Sequence, residues 1–362
     1  MKKGIALLLS VALVCGMTAC AKTEEPGKTT TETTAAVKEE PVQQTVPEPE
    51  TRPQSKPAPK TNEKPEEDTV VRVAGLKGPT SMGMVKLMDD TDVGLAEGAY
   101  EFTLAGSADE ITPKLIKGEL DIAALPANLA AILHVNTQGA VKVAAVNTLG
   151  VLYIVTKGVE INSVKDLKGQ TIIGSGKGST PEYALNYILE ENGLDPEKDV
   201  TIEWKSEHAE VVQTLAAHDT GIALLPQPFV TVAKGQVEGL EIGLDLTKEW
   251  EALDTDSELI TGVMVVRTEF AENHPKALAA FLREYENSVN WVNENTDEAA
   301  DLIDVKGIVK KEVAKAALPY CNIVCITGND LAAILQGYLT VLYKANPDSV
   351  GGSLPGPDFY VK

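Results

Sequence analysis

Ile122-Ala123-Ala124-Leu125-Pro126 returns 100 residues later as Ile222-Ala223-Leu224-Leu225-Pro226. The same offset pairs Lys77-Gly78-Pro79-Thr80 with Lys177-Gly178-Ser179-Thr180, Glu110 with Glu210 and Leu115 with Leu215. Identity is low elsewhere, so the weight lies on where the matches fall. In each copy an apolar strand comes first, over 70–74 and 171–174. A Lys-Gly loop follows, then a helical pattern over 82–88 and 183–191. Next come an alternating strand (100–104, 200–204), a second helix (108–117, 208–217) and a buried strand (122–125, 222–225). Strands alternating with helices predict parallel βαβ layers. Two such units in tandem predict two similar α/β lobes.

The chain around the copies fits two crossings between those lobes. Segments 141–146 and 152–156 are rich in β-formers and run from the first lobe toward the second. A strand over 262–267 precedes a helix bearing Leu278, Phe281, Leu282, Tyr285, Val289 and Val292. The expected organisation is a leader (1–19), a lipidated cysteine with a tether (20–69), a first lobe (70–155), a second lobe (156–258) and a return to the first (259–362). Two crossovers make a hinge, and a hinge between two lobes makes a cleft.

The N-terminus predicts where the protein works. Lys2 and Lys3 precede an apolar run over 5–14 that is too short to span a bilayer and typical of a signal-peptide core. It ends in Met17-Thr18-Ala19-Cys20, small residues before a cysteine, the pattern of a bacterial lipobox. Cys20 is therefore the expected lipidation site. Residues 22–69 hold eight prolines, ten threonines and ten glutamates, with no aromatic residue, Leu or Ile. Such a stretch buries too little apolar surface to offset ordering entropy, and it reads as a tether. Cys321 and Cys325 lie four residues apart, a spacing poor for a disulfide within a helix or strand. Small buried residues are the simpler reading, with a disulfide in a turn left open.

Fifty-three acidic against 32 basic residues give 362 residues a formal charge of −21. The leader contributes +2 and the tether −4, so residues 70–362 carry −19. That surface repels nucleic acid and anionic lipid headgroups. It does not exclude a small anion, which feels a local site.

Ligands of open α/β sheets bind at the C-terminal ends of strands. Four loops qualify: those after the first strand of each copy, and those after the third. Lys77, Gly78, Thr80, Ser81 and Met82 belong to the first, and Gly176, Lys177, Gly178, Ser179 and Thr180 to its counterpart. Free amides at a helix start favour an anion. Ser179 with Glu182 has the spacing of a capping box, and Pro181 suits the first turn. The loop is no P-loop, because Lys177 stands three residues before Thr180. Lys77 and Lys177 are candidate anion contacts on opposing lobes, or plain solvated lysines. Pro126, Asn128 and Gln227 follow the third strands, and Trp204 ends its strand as a stacking candidate. Tyr183 and Phe229 read as core. His134, His208, His218 and His274 are scattered, with no metal-ligand spacing and no Gly-x-Ser-x-Gly elbow nearby. No metal, cofactor or catalytic residue is assigned.

Ala223-Leu224-Leu225-Pro226-Gln227-Pro228-Phe229-Val230 resembles a Leu-Pro-Glu-Pro-Phe type segment. Phe270-Ala271-Glu272-Asn273-His274-Pro275, Phe281-Leu282-Arg283-Glu284-Tyr285, Trp291 and residues 295–299 resemble a C-terminal helical pattern. Both patterns are those of the solute-binding proteins of nitrate, sulfonate, taurine and thiamine-precursor ABC transporters. The resemblance covers roughly residues 70–343. It implies the type II periplasmic-binding-protein fold, with each lobe a mostly parallel sheet flanked by helices. It also implies capture of a small solute by hinge closure and delivery to a permease and its ATPase, without catalysis; the expected state of the protein is a monomer. Gln227 stands where the family often has glutamate, so a charge contact of the family is not carried over to it. The competing expectations are an enzyme of the same fold acting on a vitamin-precursor-like metabolite, and a surface adhesion or signalling lipoprotein.

Overall fold

A computed structural model describes residues 69–253 and 257–361. The leader, Cys20 and all of the tether but Thr69 lie outside the described residues. Eleven strands are present among the described residues. They are β1 (Val70–Leu76), β2 (Ala99–Ala105), β3 (Ile122–Pro126), β4 (Val141–Leu149), β5 (Leu152–Lys157) and β6 (Thr171–Ser175). Then follow β7 (Thr201–Lys205), β8 (Gly221–Pro226), β9 (Leu240–Asp245), β10 (Ile260–Arg267) and β11 (Ile323–Ile326). They form two sheets, in the orders β11-β4-β10-β3-β1-β2 and β7-β6-β8-β5-β9.

The duplicated segments pair in the same pattern, although the first strand is offset by 99 residues where the third is offset by 100. β1 pairs in parallel with β2 and β3, and β6 pairs in parallel with β7 and β8. Val73 stands beside Ile122 in the first sheet, and Ile172 beside Ile222 in the second. The expected mostly parallel sheets hold only for these duplicated units. Where the crossover strands enter, pairing turns antiparallel: β10 joins β3 and β4, and β5 joins β8 and β9. The physical reason is connectivity. A strand arriving directly from the other sheet is not joined to its neighbours by a helical crossover, so it is free to enter antiparallel.

β4 lies wholly in the first sheet and β5 wholly in the second, so the chain changes sheets across Gly150 and Val151. The lobe boundary expected at residue 155 therefore moves to this dipeptide. The chain returns between the helix Leu246–Glu251 and β10. β3, β4, β8 and β10 are nearly continuous runs of buried Ala, Val, Leu and Ile, as sheets covered on both faces require. The largest core cluster includes residues of both sheets and of the helix Gly328–Ala345. That helix ties the sheets together. Tyr338 lies 5.7 Å from the Trp250 ring, which in turn lies 4.7 Å from Tyr187.

One expected helix is broken. The pattern over 82–88 resolves into helices Pro79–Met82 and Val85–Asp92. Ser288 inserts between them: its hydroxyl donates to the Gly83 carbonyl at 2.7 Å and accepts from the Leu87 amide at 3.1 Å. A side chain in the helical ladder interrupts it. Cys321 and Cys325 are free thiols, and burial pushes each up to about 12. No helix among the described residues is long and apolar enough to cross a membrane.

Candidate functional site

Loops at the C-terminal ends of the two sheets meet. Asn128 starts the helix after β3, and Thr180 starts the helix after β6. The Thr180 hydroxyl donates to Asn128 Oδ1 at 3.4 Å, and Tyr338 donates to Thr180 Oγ1 at 3.4 Å. Asn128 Nδ2 donates to the Ser349 carbonyl at 3.4 Å. Asn128 and Thr180 are both buried. Their polar atoms thus link the two lobes and the C-terminal segment, and the structure brings this predicted pair together.

The first-sheet loop packs tightly. Met82 is fully buried in the core beneath the loop. Ser81 is also sealed, and its Oγ has no partner. The Ser81 and Met82 amides both donate to the Gly78 carbonyl, so they are not free for an anion. Gly78 is buried, Pro126 is half-buried, and Lys77 is exposed. The Thr80 carbonyl accepts from Asn147 Nδ2 at 3.2 Å, and Thr148 donates to Asn147 Oδ1 at 3.1 Å. Gly262 permits this cluster, because a Cβ there would stand 2.4 Å from Asn147 Oδ1 and 2.7 Å from Thr80 Cγ2. Asn147 and Thr148 escaped the sequence reading. Their signal is a buried polar pair inside the otherwise apolar run of β4.

The second-sheet loop is more open. Gly176 and Gly178 take left-handed backbone angles (φ 86° and 74°), and Lys177 and Gly178 are exposed. The expected capping box does not form. Ser179 Oγ donates to the Gly176 carbonyl at 2.7 Å, and the Glu182 carboxylate accepts from Gly178 instead of Ser179. The left-handed glycines turn the Gly178 amide toward Glu182 first. Trp204 lies against Gly174 of the neighbouring strand, a packing role. Lys77 and Lys177 make no ion pair with any described residue.

Two further side chains meet at the ends of β6 and β7, and Gln227 follows β8, the strand on the other side of β6. Ser175 Oγ lies 2.5 Å from His208 Nδ1, and the imidazole lies 4.9 Å from the Phe229 ring. Burial pushes the His208 pKa down to about 4, so the ring is neutral near pH 7. Gln227 is buried, and its Oε1 accepts from Thr231 Oγ1 at 2.9 Å and from the Thr231 amide at 3.3 Å. Ser175 and His208 were not among the predicted site residues. Ser175 lies in a loop that the sequence singles out, whereas His208 follows the second strand of its copy, outside the strand ends that it points to. Among the described residues no cluster of His, Cys, Asp or Glu is arranged to hold a metal ion.

A family model for the periplasmic substrate-binding protein of phosphonate ABC transporters matches residues 97–315, more than half of the chain. The chain belongs to that family. A Bacillus subtilis (strain 168) protein named for binding aliphatic sulfonates is 37% identical over 78 residues. That match spans 21% of this chain and only 23% of the relative's own length. Solved structures share the fold. An ABC transporter protein from Parabacteroides distasonis superposes with a TM-score of 0.67 at 23% identity, covering 82% of this chain and 99% of that one. The aliphatic sulphonate binding protein SsuA of Escherichia coli gives 0.64 at 15% identity, covering 80% and 92%. The nitrate-binding protein NrtA of Synechocystis PCC 6803 gives 0.57 at 13% identity, covering 80% and 85%. The resemblance to nitrate and sulfonate receptors read from sequence thus falls on the fold these proteins share.

Proposed function

We propose that this protein is the extracytoplasmic receptor of an ABC importer, and that it captures a small oxyanion in the cleft between its sheets. The observation that carries the reading is the meeting of Asn128 and Thr180, which brings strand-end loops of both sheets to one place. A solute held there touches both lobes only when they are closed, so binding favours closure. The family match and the sulfonate-named relative support an oxyanion as the solute class. Lys77 and Lys177 draw the anion in from an otherwise acidic surface, and the lipid on Cys20 holds the protein at the membrane. The closed form then engages a permease and its ATPase.

The test is a thermal-shift series on the full chain with methylphosphonate, ethanesulfonate, nitrate, acetate, and a neutral and a cationic amine-bearing solute. Stabilisation by at least one oxyanion is expected, growing with concentration as mass action requires. Stabilisation by neutral or cationic solutes alone would refute the oxyanion assignment. Chemical turnover of a stabilising solute would replace the receptor with an enzyme.

A further inference from the structure

The ends of the adjacent strands β7, β6 and β8 carry His208, Ser175 and Gln227, with a donor pattern of their own. Ser175 is buried, and its hydroxyl has no acceptor among the described residues other than His208 Nδ1. A buried hydroxyl needs an acceptor, so the Ser175 proton goes to Nδ1. The imidazole proton then resides on Nε2. Nε2 makes no bond to any described residue, and it is not among the sealed atoms without partners. Gln227 repeats the logic. Its Oε1 is taken up by Thr231, which leaves the two protons of Nε2 unengaged. Phe229 follows Gln227 by two residues and braces the imidazole.

We infer that His208 Nε2–H and Gln227 Nε2–H form the second-sheet donor pair for the oxygens of a phosphonate or sulfonate head group, with Ser175 fixing the histidine tautomer. This rests on the receptor reading above and names the groups that serve it. Both donors are uncharged. They hold an anion by direction, and the site avoids the desolvation of a buried cation. Hydrogen bonds to a charged acceptor are strong enough for two of them to set affinity. The burial that keeps the ring neutral also keeps Nδ1 available to accept from Ser175. Ser175 is a positioning residue, since it acts only through the histidine.

Titration calorimetry of the full chain with methylphosphonate and ethanesulfonate, beside nitrate, tests the pair. In wild type, at least one of the first two binds. His208→Phe keeps an aromatic ring against Phe229 but lacks the donor, and it is expected to weaken binding tenfold or more. His208→Gln restores an N–H donor and recovers most of the affinity. Ser175→Ala weakens binding less than His208→Phe does. In wild type the ¹⁵N resonance of His208 Nε2 reads as protonated, and it shifts when the ligand is added; this readout needs no variant. Wild-type binding that His208→Phe leaves within twofold, or a ¹⁵N resonance unmoved at saturation, overturns the donor pair while the receptor stands. Absence of wild-type binding to all three probes overturns the pair and the oxyanion receptor together.

Discussion

Gly75 and Gly174 occupy the same register in the two copies, yet different groups fill the space above them. A Cβ at Gly75 would stand 2.1 Å from Ser81 Oγ and 2.7 Å from Met84 Cε. A Cβ at Gly174 would instead meet the Trp204 ring at 3.1 Å. In the first copy the loop after the strand folds down onto its own sheet, and its serine is sealed without a partner. In the second, an aromatic ring from the neighbouring strand takes that space, and the loop stands clear. A shared backbone register therefore does not give a shared site. The first sheet supplies a packed floor, to which β4 adds Asn147 and Thr148, and the second copy supplies accessible donors.

The largest way to break this contrast is Trp250→Ala. Trp250 is fully buried and contacts both Tyr187 and Tyr338, and its Nε1 donates to Ser257 Oγ at 3.1 Å. It couples the second copy to the helix that ties the sheets together. Urea denaturation is expected to show a loss of about 3–5 kcal/mol. A loss under about 1 kcal/mol would mean that the second lobe does not lean on that helix.

Acid separates the copies next, because the site histidine belongs only to the second. His208 has a folded pKa of about 4 against an ordinary 6.5. The unfolded chain binds the proton first, so the stability tied to the neutral ring is fully present above pH 6.5. It is lost as pH falls toward 4. The loss amounts to about 3 kcal/mol at one unit per 1.36 kcal/mol. Asp121 acts lower on the scale. Its burial raises the carboxyl pKa, but hydrogen bonds from Arg72 and Arg267 outweigh that and hold it below 3.8. Stability curves of wild type and His208→Gln, measured from pH 7 to 4, isolate the histidine. Parallel curves would remove the burial argument.

The two glycines give a smaller and more direct comparison. Gly75→Ala is expected to cost about 1–3 kcal/mol, because Ser81 and Met84 are both sealed and must move. Gly174→Ala is expected to fall within about 1 kcal/mol. Trp204 is only half-buried, so its ring has room to give, and alanine narrows the unfolded ensemble. Chemical denaturation of the pair checks the order, and equal losses would erase the distinction between the loops.

Much of the fold was legible because register and apolar alternation are local properties of the chain. The 100-residue offset located β1, β3, β6 and β8 and the loops that follow them. The direction in which crossover strands pair is not local, so the antiparallel entry of β5 and β10 did not show. The helix break at Gly83 depends on Ser288, some 200 residues away in sequence, and no helical pattern reports such a visitor. Within the site, Asn128 and Thr180 followed from the strand-end rule. Ser175 and His208 did not, because a lone histidine after an edge strand gains meaning only when a hydroxyl from the next strand meets it.

The smallest expected effect is the sharpest test of the first copy. Ser81 Oγ is buried and makes no hydrogen bond in the structure. Removing such a hydroxyl eliminates an uncompensated desolvation, so Ser81→Ala is expected to stabilise the protein by about 1 kcal/mol. It also clears the nearest obstacle above Gly75. In the double variant Gly75→Ala, Ser81→Ala the closest remaining atom is Met84 Cε, at the end of a flexible side chain. The two changes should therefore be coupled, with the double variant about 1 kcal/mol more stable than the single effects sum to. Destabilisation by Ser81→Ala, together with weaker oxyanion binding, would show that the hydroxyl has a partner in the bound state. The first copy would then donate to the ligand as the second does, and the contrast between floor and donors would fall.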